Sequence, residues 1–370
     1  MKTKRKFRKI SIACVFLCMF SDVFAVEWGE RRRDQFGNDF SYLVYPIAGD
    51  IPGLGSAAGL GASILNIKET DLDFTGFNVK GDFSAAGYTF LNYHLLEKRL
   101  ILDAGYYDYD VAPIAYKRGI DSPEDDYILP KVEGSNIQVQ LTLSYWQRQL
   151  EAYFRFRDGW QRVLQVLDRD GQPFAATDNS KRNGSDYTLG VTVDRTDDRL
   201  DPRSGYRLEM AVKGGRRTDT LSSSTIVTDY NMTTYLPMRT RDALVFNYFQ
   251  SDAHVIDEVK ADFASLQQER GLGCQNLPLG PEQDQCLLTE QDLLNQQIAH
   301  NRYGTATALG GTQRLRSYSN GRYYAGHAMS YGAEYRWNLT DEHTPFDIFI
   351  AKGVRTGIQL AVFAEQGSVA

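Results

Sequence analysis

Three short segments near the end of the chain carry the side chains best suited to chemistry. Arg316 lies in a segment of loop character, whereas Glu334 and Glu365 lie in segments that alternate as strands do. A guanidinium binds carboxylates through parallel, charge-assisted hydrogen bonds. In a chain full of alternating strands, this combination indicates an ion-pair latch inside a barrel rather than an active site. The three segments are Leu315-Arg316-Ser317-Tyr318, Gly332-Ala333-Glu334-Tyr335-Arg336 and Phe363-Ala364-Glu365-Gln366-Gly367.

No catalytic constellation accompanies these segments. The histidines are scattered without a His-x-x-x-His spacing, and no Gly-x-Ser-x-Gly occurs. Residues 168–171 (Asp-Arg-Asp-Gly) share part of a calcium-loop pattern but lack its third acidic position and its closing glutamate, so a turn is the better interpretation. The sequence therefore predicts no enzyme activity, no cofactor and no metal site.

Residues 1–25 have the features of a secretory signal. Six basic residues among the first nine precede an apolar stretch from Ile10 to Phe20, and residues 23–25 place compact side chains at the −3 and −1 positions. This pattern predicts a cleaved export signal that is too short to anchor the chain. Without it the chain keeps 35 basic and 46 acidic side chains, a net charge of −11. That charge and the lack of a basic stripe indicate no nucleic-acid partner.

Two cysteines, Cys274 and Cys286, remain after the predicted signal. Eleven residues separate them in a polar stretch. Because the chain is predicted to be exported, a local disulfide is expected between them. A metal pair is the alternative, but no histidine lies within ten residues of either cysteine.

Alternation of apolar and polar residues dominates the rest of the chain and predicts strands with one apolar face. Residues 206–213 are the clearest example. A soluble sandwich would alternate in the same way. Strand lengths of about ten residues favour a membrane barrel, and so do aromatic residues at strand ends. The fold class predicted is therefore all-β, a transmembrane antiparallel β-barrel. The aromatic positions are Tyr106-Tyr107, Tyr145-Trp146, Tyr235 and Trp337.

The spacing of the strands predicts an orientation. Long links at 110–134, 158–184 and 253–325 follow odd-numbered strands, and bacterial outer-membrane barrels have long external loops and short periplasmic turns. We therefore expect a short periplasmic segment at 26–39, a barrel over 40–370 and a long extracellular loop at 253–325. The thirteen predicted strands are 40–48, 57–67, 71–81, 85–94, 99–109, 135–146, 149–157, 185–196, 205–215, 224–236, 242–252, 326–338 and 357–366.

The longest link holds more than a simple loop. Residues 256–269 and 287–300 are rich in Glu, Gln, Leu and Ala and are expected to form two short helices. The turn region between them is bracketed by the two cysteines. One interpretation is a surface element that the disulfide protects from proteolysis. The other is an external recognition element.

Four motifs resemble those of the bacterial surface antigen superfamily, the sixteen-stranded barrels of outer-membrane protein assembly factors and two-partner-secretion transporters. Residues 194–207, with Asp201, Pro202 and Gly205, look like its periplasmic turn. Gly310-Gly311 leading into residues 315–318 is similar to its inward-folded sixth-loop motif. Residues 332–336 match its Gly-x-Glu-x-Arg on the twelfth strand, and residues 363–367 resemble its Phe-x-Asp-x-Gly on the thirteenth. The resemblance is specific over about 185–370.

The resemblance implies that Arg316 reaches into the lumen and pairs with Glu334 and Glu365. Strand parity agrees, because it places Glu334 on the face opposite Tyr335 and Trp337, and a charge facing lipid at mid-depth would cost about 2–4 kcal/mol. Ordinary wetted lumen charges are the alternative.

Two residues depart from the family motifs. Ser317 stands where the family has glycine, so a positive φ would be strained there. Glu365 replaces the usual aspartate and is one methylene longer.

Strand number and domain content also depart from the superfamily. Thirteen strands are fewer than its sixteen, and single-chain bacterial barrels have even counts, so we expect the sequence to be truncated at its C-terminus. Residues 26–39 are too few for a polypeptide-transport-associated domain.

The function implied is that of an outer-membrane β-barrel in a Gram-negative bacterium, acting in outer-membrane biogenesis or in translocation of a polypeptide or other substrate. Expected partners are outer-membrane lipid and a polypeptide client, and the barrel is itself expected to be a client of the outer-membrane assembly machinery. A passive outer-membrane channel or a structural surface antigen is the alternative.

Overall fold

The described part of the chain consists mainly of long strands. The computed structural model describes residues 30–36, 39–51, 55–176, 181–217, 221–340, 345–354 and 357–370. The predicted signal, residues 1–25, lies outside the described residues. The strands are β1 (Ser41–Ile51), β2 (Gly55–Leu65), β3 (Asp73–Gly81), β4 (Ser84–Leu96), β5 (Leu100–Val111), β6 (Ala115–Tyr116), β7 (Tyr127–Tyr145), β8 (Leu150–Leu167), β9 (Pro173–Ala176), β10 (Arg182–Asp194), β11 (Gly205–Arg217), β12 (Ser224–Met238), β13 (Asp242–Asp257), β14 (His327–Asn338), β15 (Phe346–Ile348), β16 (Ala351–Val354) and β17 (Gln359–Val369).

Thirteen of these strands, each nine residues or longer, form one antiparallel meander within the described residues. Each pairs with the next along the chain, in the order β1, β2, β3, β4, β5, β7, β8, β10, β11, β12, β13, β14 and β17. The predicted all-β antiparallel fold class is confirmed. Most predicted strand ends agree with the structure to within a few residues.

Strand β7 shows which face of the sheet is apolar. Ile137 and Leu143 are 49% and 45% exposed, whereas Thr142 and Ser144 on the opposite face are 3% and 0% exposed. A soluble sheet would have its apolar face buried and its polar face wet. The inverted pattern is typical of a membrane barrel, with an apolar outer face and a polar interior.

Two predicted aromatic positions are wrong. Tyr106, Tyr145 and Trp337 are exposed, as a membrane girdle requires, but Tyr107 lies on the face of β5 opposite Tyr106, and Tyr235 is buried with Ala243. The reason is strand parity: in β12 the exposed large side chains occupy even positions, so position 235 faces inward. Its position at a strand end was therefore a misleading signal.

Strands β7 and β8 extend further than the sequence predicted. Their pairing continues to Leu129 opposite Leu167, so the links on either side run only over 112–126 and 168–181. The predicted links 110–134 and 158–184 were too long. The two strands remain paired beyond the length that a membrane strand needs, and the open end of this hairpin protrudes from the sheet.

A short hairpin that the sequence did not predict joins the beginning of the sheet to its end. Strands β15 and β16 lie in the link between β14 and β17, and β16 pairs with β1 at Tyr42↔Lys352 and Leu43↔Ala351. The sheet therefore curves until its first strand meets the link that follows its twelfth long strand. The rim that carries the links between β7 and β8, between β10 and β11 and between β14 and β17 is named the turn rim. The opposite rim, which carries the long link between β13 and β14, is named the loop rim.

Two helices occupy the long link at the loop rim: α1 (Phe263–Arg270) and α2 (Pro281–Tyr303). The predicted ranges, 256–269 and 287–300, located both helices. Helix α1 begins later because the Asp262 carboxylate accepts a hydrogen bond from the Ser265 N–H and so caps it. Helix α2 begins earlier, at Pro281, a residue that favours the first helical turn. No helix among the described residues is long and apolar enough to cross a membrane.

The two cysteines lie in this helical insert. Cys274 and Cys286 are joined by a disulfide, with a Cα–Cα distance of 5.5 Å. Both are fully buried and pack with Ile128 of β7 and Val166 of β8. The insert therefore rests on the protruding β7–β8 hairpin.

Candidate functional site

Arg316 contacts two wall strands from the link between β13 and β14. Its Nε donates to Glu365 Oε1 at 2.7 Å, and its Nη1 lies 2.6 Å from Glu334 Oε2. Its backbone N–H also donates to Glu365 Oε2 at 2.7 Å. The guanidinium carbon lies 3.6 Å from the ring centroid of Phe363. Arg316 is thus held by two carboxylates and an aromatic face.

Glu334 is shared between two arginines. Its second oxygen accepts a hydrogen bond of 2.6 Å from Arg336 Nε. The side chains of Glu334 and Glu365 are 11% and 13% exposed, so bulk water screens them little. With Arg316 and Arg336 the cluster holds two positive and two negative charges, which offsets the cost of removing each from water.

The other residues of the 315–318 segment shape the turn. The left-handed conformation falls on Leu315, with φ of +50°, and Ser317 does not have a positive φ. The expectation of strain at Ser317 was therefore wrong for this backbone. The Tyr318 N–H donates to the Leu315 carbonyl at 3.0 Å, and the Tyr318 ring packs edge-on against Tyr323.

Gly367 makes room for the same turn. A Cβ placed on it would lie 2.8 Å from Leu309 Cδ1 and 3.0 Å from Leu315 Cδ1. These leucines belong to a buried apolar cluster with Phe249 and Ala328. The glycine of the 363–367 motif is therefore required by close approach of the turn to β17.

We expect Gly367→Val to displace the turn, because its side chain would overlap both leucines. Overpacking of this kind costs about 1–3 kcal/mol. Trypsin cleavage after Arg314 should become faster in the folded protein. Gly184→Val is the matched control, since a Cβ there meets nothing within 4 Å. Equal cleavage of both variants would contradict this account.

A second contact holds the beginning of the turn region against another sector of the wall. The Thr307 hydroxyl donates to Asp229 at 2.9 Å, and its backbone N–H donates to Ser251 Oγ at 2.8 Å. Ser251 and Lys213 also bind Asp229. These residues lie on β11, β12 and β13. No sequence motif signalled them beyond their alternation.

A third contact involves Arg322, which is 5% exposed. It donates to the Gly119 carbonyl at 2.8 Å and to the Ser122 carbonyl. Its guanidinium carbon lies 3.9 Å from the Tyr116 ring centroid and 4.8 Å from that of Tyr323. The link between β5 and β7 is therefore joined to the same loop.

Residues 304–326, here named the inward loop, thus contact three separate sectors of the sheet. Arg316 reaches β14 and β17, Thr307 reaches β11 to β13, and Arg322 reaches the link between β5 and β7. In the meander, β5 is far from β14. A single loop that touches both must lie in the space that the curved sheet surrounds.

The helical insert is joined to this assembly. Gln296 of α2 accepts a hydrogen bond from the Tyr324 hydroxyl, and its amide donates to the Lys117 carbonyl. Asn301 of α2 donates to the Leu221 carbonyl in the link between β11 and β12. The insert therefore lies across several links of the loop rim.

The predicted turn residues lie together at the turn rim, between β10 and β11. Gly205 has φ of +96°, and a Cβ on it would lie 2.1 Å from the Arg195 carbonyl oxygen. The Asp201 carboxylate accepts a hydrogen bond of 3.0 Å from Arg203 Nε, and Pro202 is buried. Gly205 pairs with Tyr235, Tyr235 with Val245 and Val245 with Glu334, so three strand-to-strand steps separate this turn from the carboxylates that bind Arg316. Among the described residues, no group of three or more His, Cys, Asp or Glu is arranged to hold a metal.

Comparisons with known proteins found structural likeness alone. No protein-family model matches the chain, and no curated protein matches it. The chain is similar to BamA from Haemophilus ducreyi lacking POTRA domains 1–3, with a TM-score of 0.48, 9% identity, 89% of this chain and 57% of that chain covered. It is also similar to CdiB from Escherichia coli, with a TM-score of 0.48, 8% identity, and coverage of 89% and 56%. For CdiB from Acinetobacter baumannii the values are 0.42, 14%, 90% and 50%. The chain thus spans about half the length of these three chains.

Proposed function

We propose that the chain is an outer-membrane β-barrel of the surface antigen superfamily type, in which the inward loop is latched to the wall by Arg316, Glu334 and Glu365. Its role would be in outer-membrane biogenesis or in translocation of a polypeptide or other substrate. The observation that carries the proposal is the double pairing of Arg316 with carboxylates on two adjacent strands.

The polarity of the two sheet faces supports the location. In a membrane, the exposed apolar residues on the outer face would contact lipid instead of water. The transfer free energy of each fully buried side chain of this kind is favourable by about 1.5–3 kcal/mol. The inner face carries the charged cluster and the polar residues that bind the inward loop. A barrel with these two faces is suited to a membrane with an aqueous interior.

The anchoring of the inward loop favours a gated barrel over a passive channel. A diffusion channel needs an open lumen, whereas this loop is bound to three sectors of the wall. Translocation or insertion of a substrate would require the loop to move, and charge-assisted hydrogen bonds can break and reform without unfolding the sheet.

Conductance in planar bilayers tests the proposal. We expect the native protein to conduct little and Arg316→Ala to conduct several-fold more, because the released loop no longer fills the lumen. Arg157→Ala is the control, since Arg157 pairs with Asp186 on the adjacent strand β10. Large, steady pores in the native protein that are unaltered by Arg316→Ala would instead support the passive channel.

A further inference from the structure

A short basic segment lies along the turn rim before β1 begins. Residues 30–36 (Glu-Arg-Arg-Arg-Asp-Gln-Phe) contain three consecutive arginines. They lie against the turn between β10 and β11, residues 195–204, and against the neighbouring link between β7 and β8. Further along, Asp34 pairs with Lys98 in the link between β4 and β5, and the Phe36 ring packs against His94 at the end of β4. This segment therefore follows the turn rim past three neighbouring links.

Arg31 enters most deeply, with a side chain only 3% exposed. Its Nη1 donates to the Thr196 carbonyl at 2.7 Å and lies 3.4 Å from Asp194 Oδ1. Its Nε donates to the Gln147 carbonyl at 3.1 Å. Its Nη2 has no hydrogen-bond partner among the described residues. The guanidinium thus fills a polar recess between two links.

Arg32 and Arg33 bind the rim of the same recess. The Arg32 N–H donates to the Asp197 carbonyl at 2.7 Å, a contact of the type made between strands. Its Nη2 donates to the Asp201 carbonyl at 2.7 Å and to its carboxylate at 3.0 Å. Arg33 pairs with Asp198, whose side chain is fully buried. Arg32 Nη2 also lies 3.7 Å from Asp198 Oδ2, so the two arginines share this carboxylate.

The turn is already organised to receive such a segment. The N–H groups of Leu200 and Asp201 donate to Asp198 Oδ1, and Arg207 donates to Asp194 Oδ2 at 2.8 Å. Burial alone would raise the pKa of Asp198, but the N–H of Asp201, Arg33 and the N–H of Leu200 together lower it below its usual value. Asp198 is therefore ionised at neutral pH.

Contacts beyond the arginines fix the direction of the segment. The Gln35 N–H donates to the Gln147 side chain at 3.0 Å, and Gln35 Oε1 accepts from the Arg199 N–H at 2.8 Å. Phe36 is buried, with its ring edge-on to His94. The recess therefore holds a segment with three guanidinium groups followed by an apolar side chain.

We propose that the turn at 194–203 is a docking site for an arginine-bearing peptide, which residues 31–33 occupy in cis and which a basic segment of a polypeptide client occupies in trans. The identity of the trans ligand as a client rests on the proposed function. Docking in trans would displace the cis segment from the turn rim. Arginine is preferred to lysine because carbonyl and carboxylate acceptors surround each planar guanidinium.

A fluorescent peptide with the sequence of residues 30–36 tests the docking site in detergent. The receptor is the full chain with Arg31, Arg32 and Arg33 replaced by serine, so that the recess is vacant. We expect saturable binding to this variant. Binding to the native chain should be at least about tenfold weaker, because the tethered segment competes at an effective concentration in the millimolar range.

Two controls separate docking from general attraction of charges. Replacing the peptide arginines with lysines should weaken binding about tenfold although the charge is kept. Asp198→Asn in the vacant receptor should weaken it by about ten- to a hundredfold. Asp170→Asn, in an exposed turn at the loop rim, should leave binding unchanged. Equal binding of both peptides, or insensitivity to Asp198→Asn, would overturn the proposal.

A milder variant covers the case in which the triple substitution does not fold. Arg33→Ser removes the most exposed of the three arginines and should raise peptide affinity of the otherwise native chain; unchanged affinity would count against docking. Neither measurement depends on conductance or translocation. A barrel that proved to be a passive channel could therefore still bind the peptide, and failure of peptide binding would leave the latch proposal intact.

Discussion

Arg316→Ala is expected to release the inward loop while the barrel stays folded. The substitution removes the two charge-assisted contacts of the side chain and its stacking on Phe363, and it leaves Glu334 and Glu365 largely buried. Hydrogen bonds to charged groups contribute about 1.5–3 kcal/mol each. Since the Arg316 side chain is 29% exposed, we take a value near the lower end for the whole set, about 3 kcal/mol. The equilibrium ratio of bound to released loop should fall by about two orders of magnitude.

Limited trypsin digestion measures that release. Cleavage after Arg314 and Arg322 should accelerate in Arg316→Ala, whereas the strands remain resistant. Arg316→Lys should give an intermediate rate, because an ammonium cannot present parallel donors to two carboxylates. Arg157→Ala removes a paired wall arginine and should digest like the native protein. Native-like resistance of Arg316→Ala would show that the other two anchors are sufficient.

Each carboxylate should contribute to the same interaction. Glu365→Gln removes the charge that binds both the backbone N–H and the guanidinium of Arg316, so its effect should exceed that of Glu334→Gln, where Arg336 remains on the second oxygen. In a double-mutant cycle, Glu365→Gln should add little to Arg316→Ala. Additive effects would indicate that the two residues act independently.

The strand pattern could be predicted from sequence because it is local. Alternation has a period of two, and the thirteen long strands follow it closely. The prediction of outward-facing aromatic residues failed at Tyr235, because it used the position at a strand end and ignored which face of the strand the residue occupies. The strand pattern also failed where strands continue past the membrane as a paired hairpin, as between Leu129 and Leu167.

The motifs brought attention to Arg316, Glu334 and Glu365, but they did not indicate the other anchors of the inward loop. Thr307 meets Asp229, and Arg322 meets the Gly119 carbonyl, across sequence separations that no local pattern encodes. Three arginines at 31–33 were visible in the sequence. Most of their acceptors, however, belong to a turn more than 160 residues away, and the Gln147 carbonyl belongs to a second link. Such contacts follow from the order in which the strands pair.

Arg322→Met is expected to free the tip of the inward loop from the link between β5 and β7 while Arg316 stays bound. Methionine keeps much of the apolar stem but cannot donate to the Gly119 and Ser122 carbonyls, which accept from a nearly buried guanidinium. Loss of these bonds and of the stacking on Tyr116 should cost about 3 kcal/mol. A lysine at this position should recover part of the effect.

Hydrogen exchange at residues 115–122 and 318–324 measures this change. Both segments should lose protection together in Arg322→Met, because each supplies half of the contact, while residues 332–336 should keep theirs. Arg169→Met is the control, since Arg169 is more than half exposed and its pairing with Asp125 contributes little. If only the loop exchanged faster, the link would be held by α2 through Gln296 instead. If residues 332–336 also lost protection, the anchors would form one cooperative unit, and release at Arg322 would open the latch at Arg316.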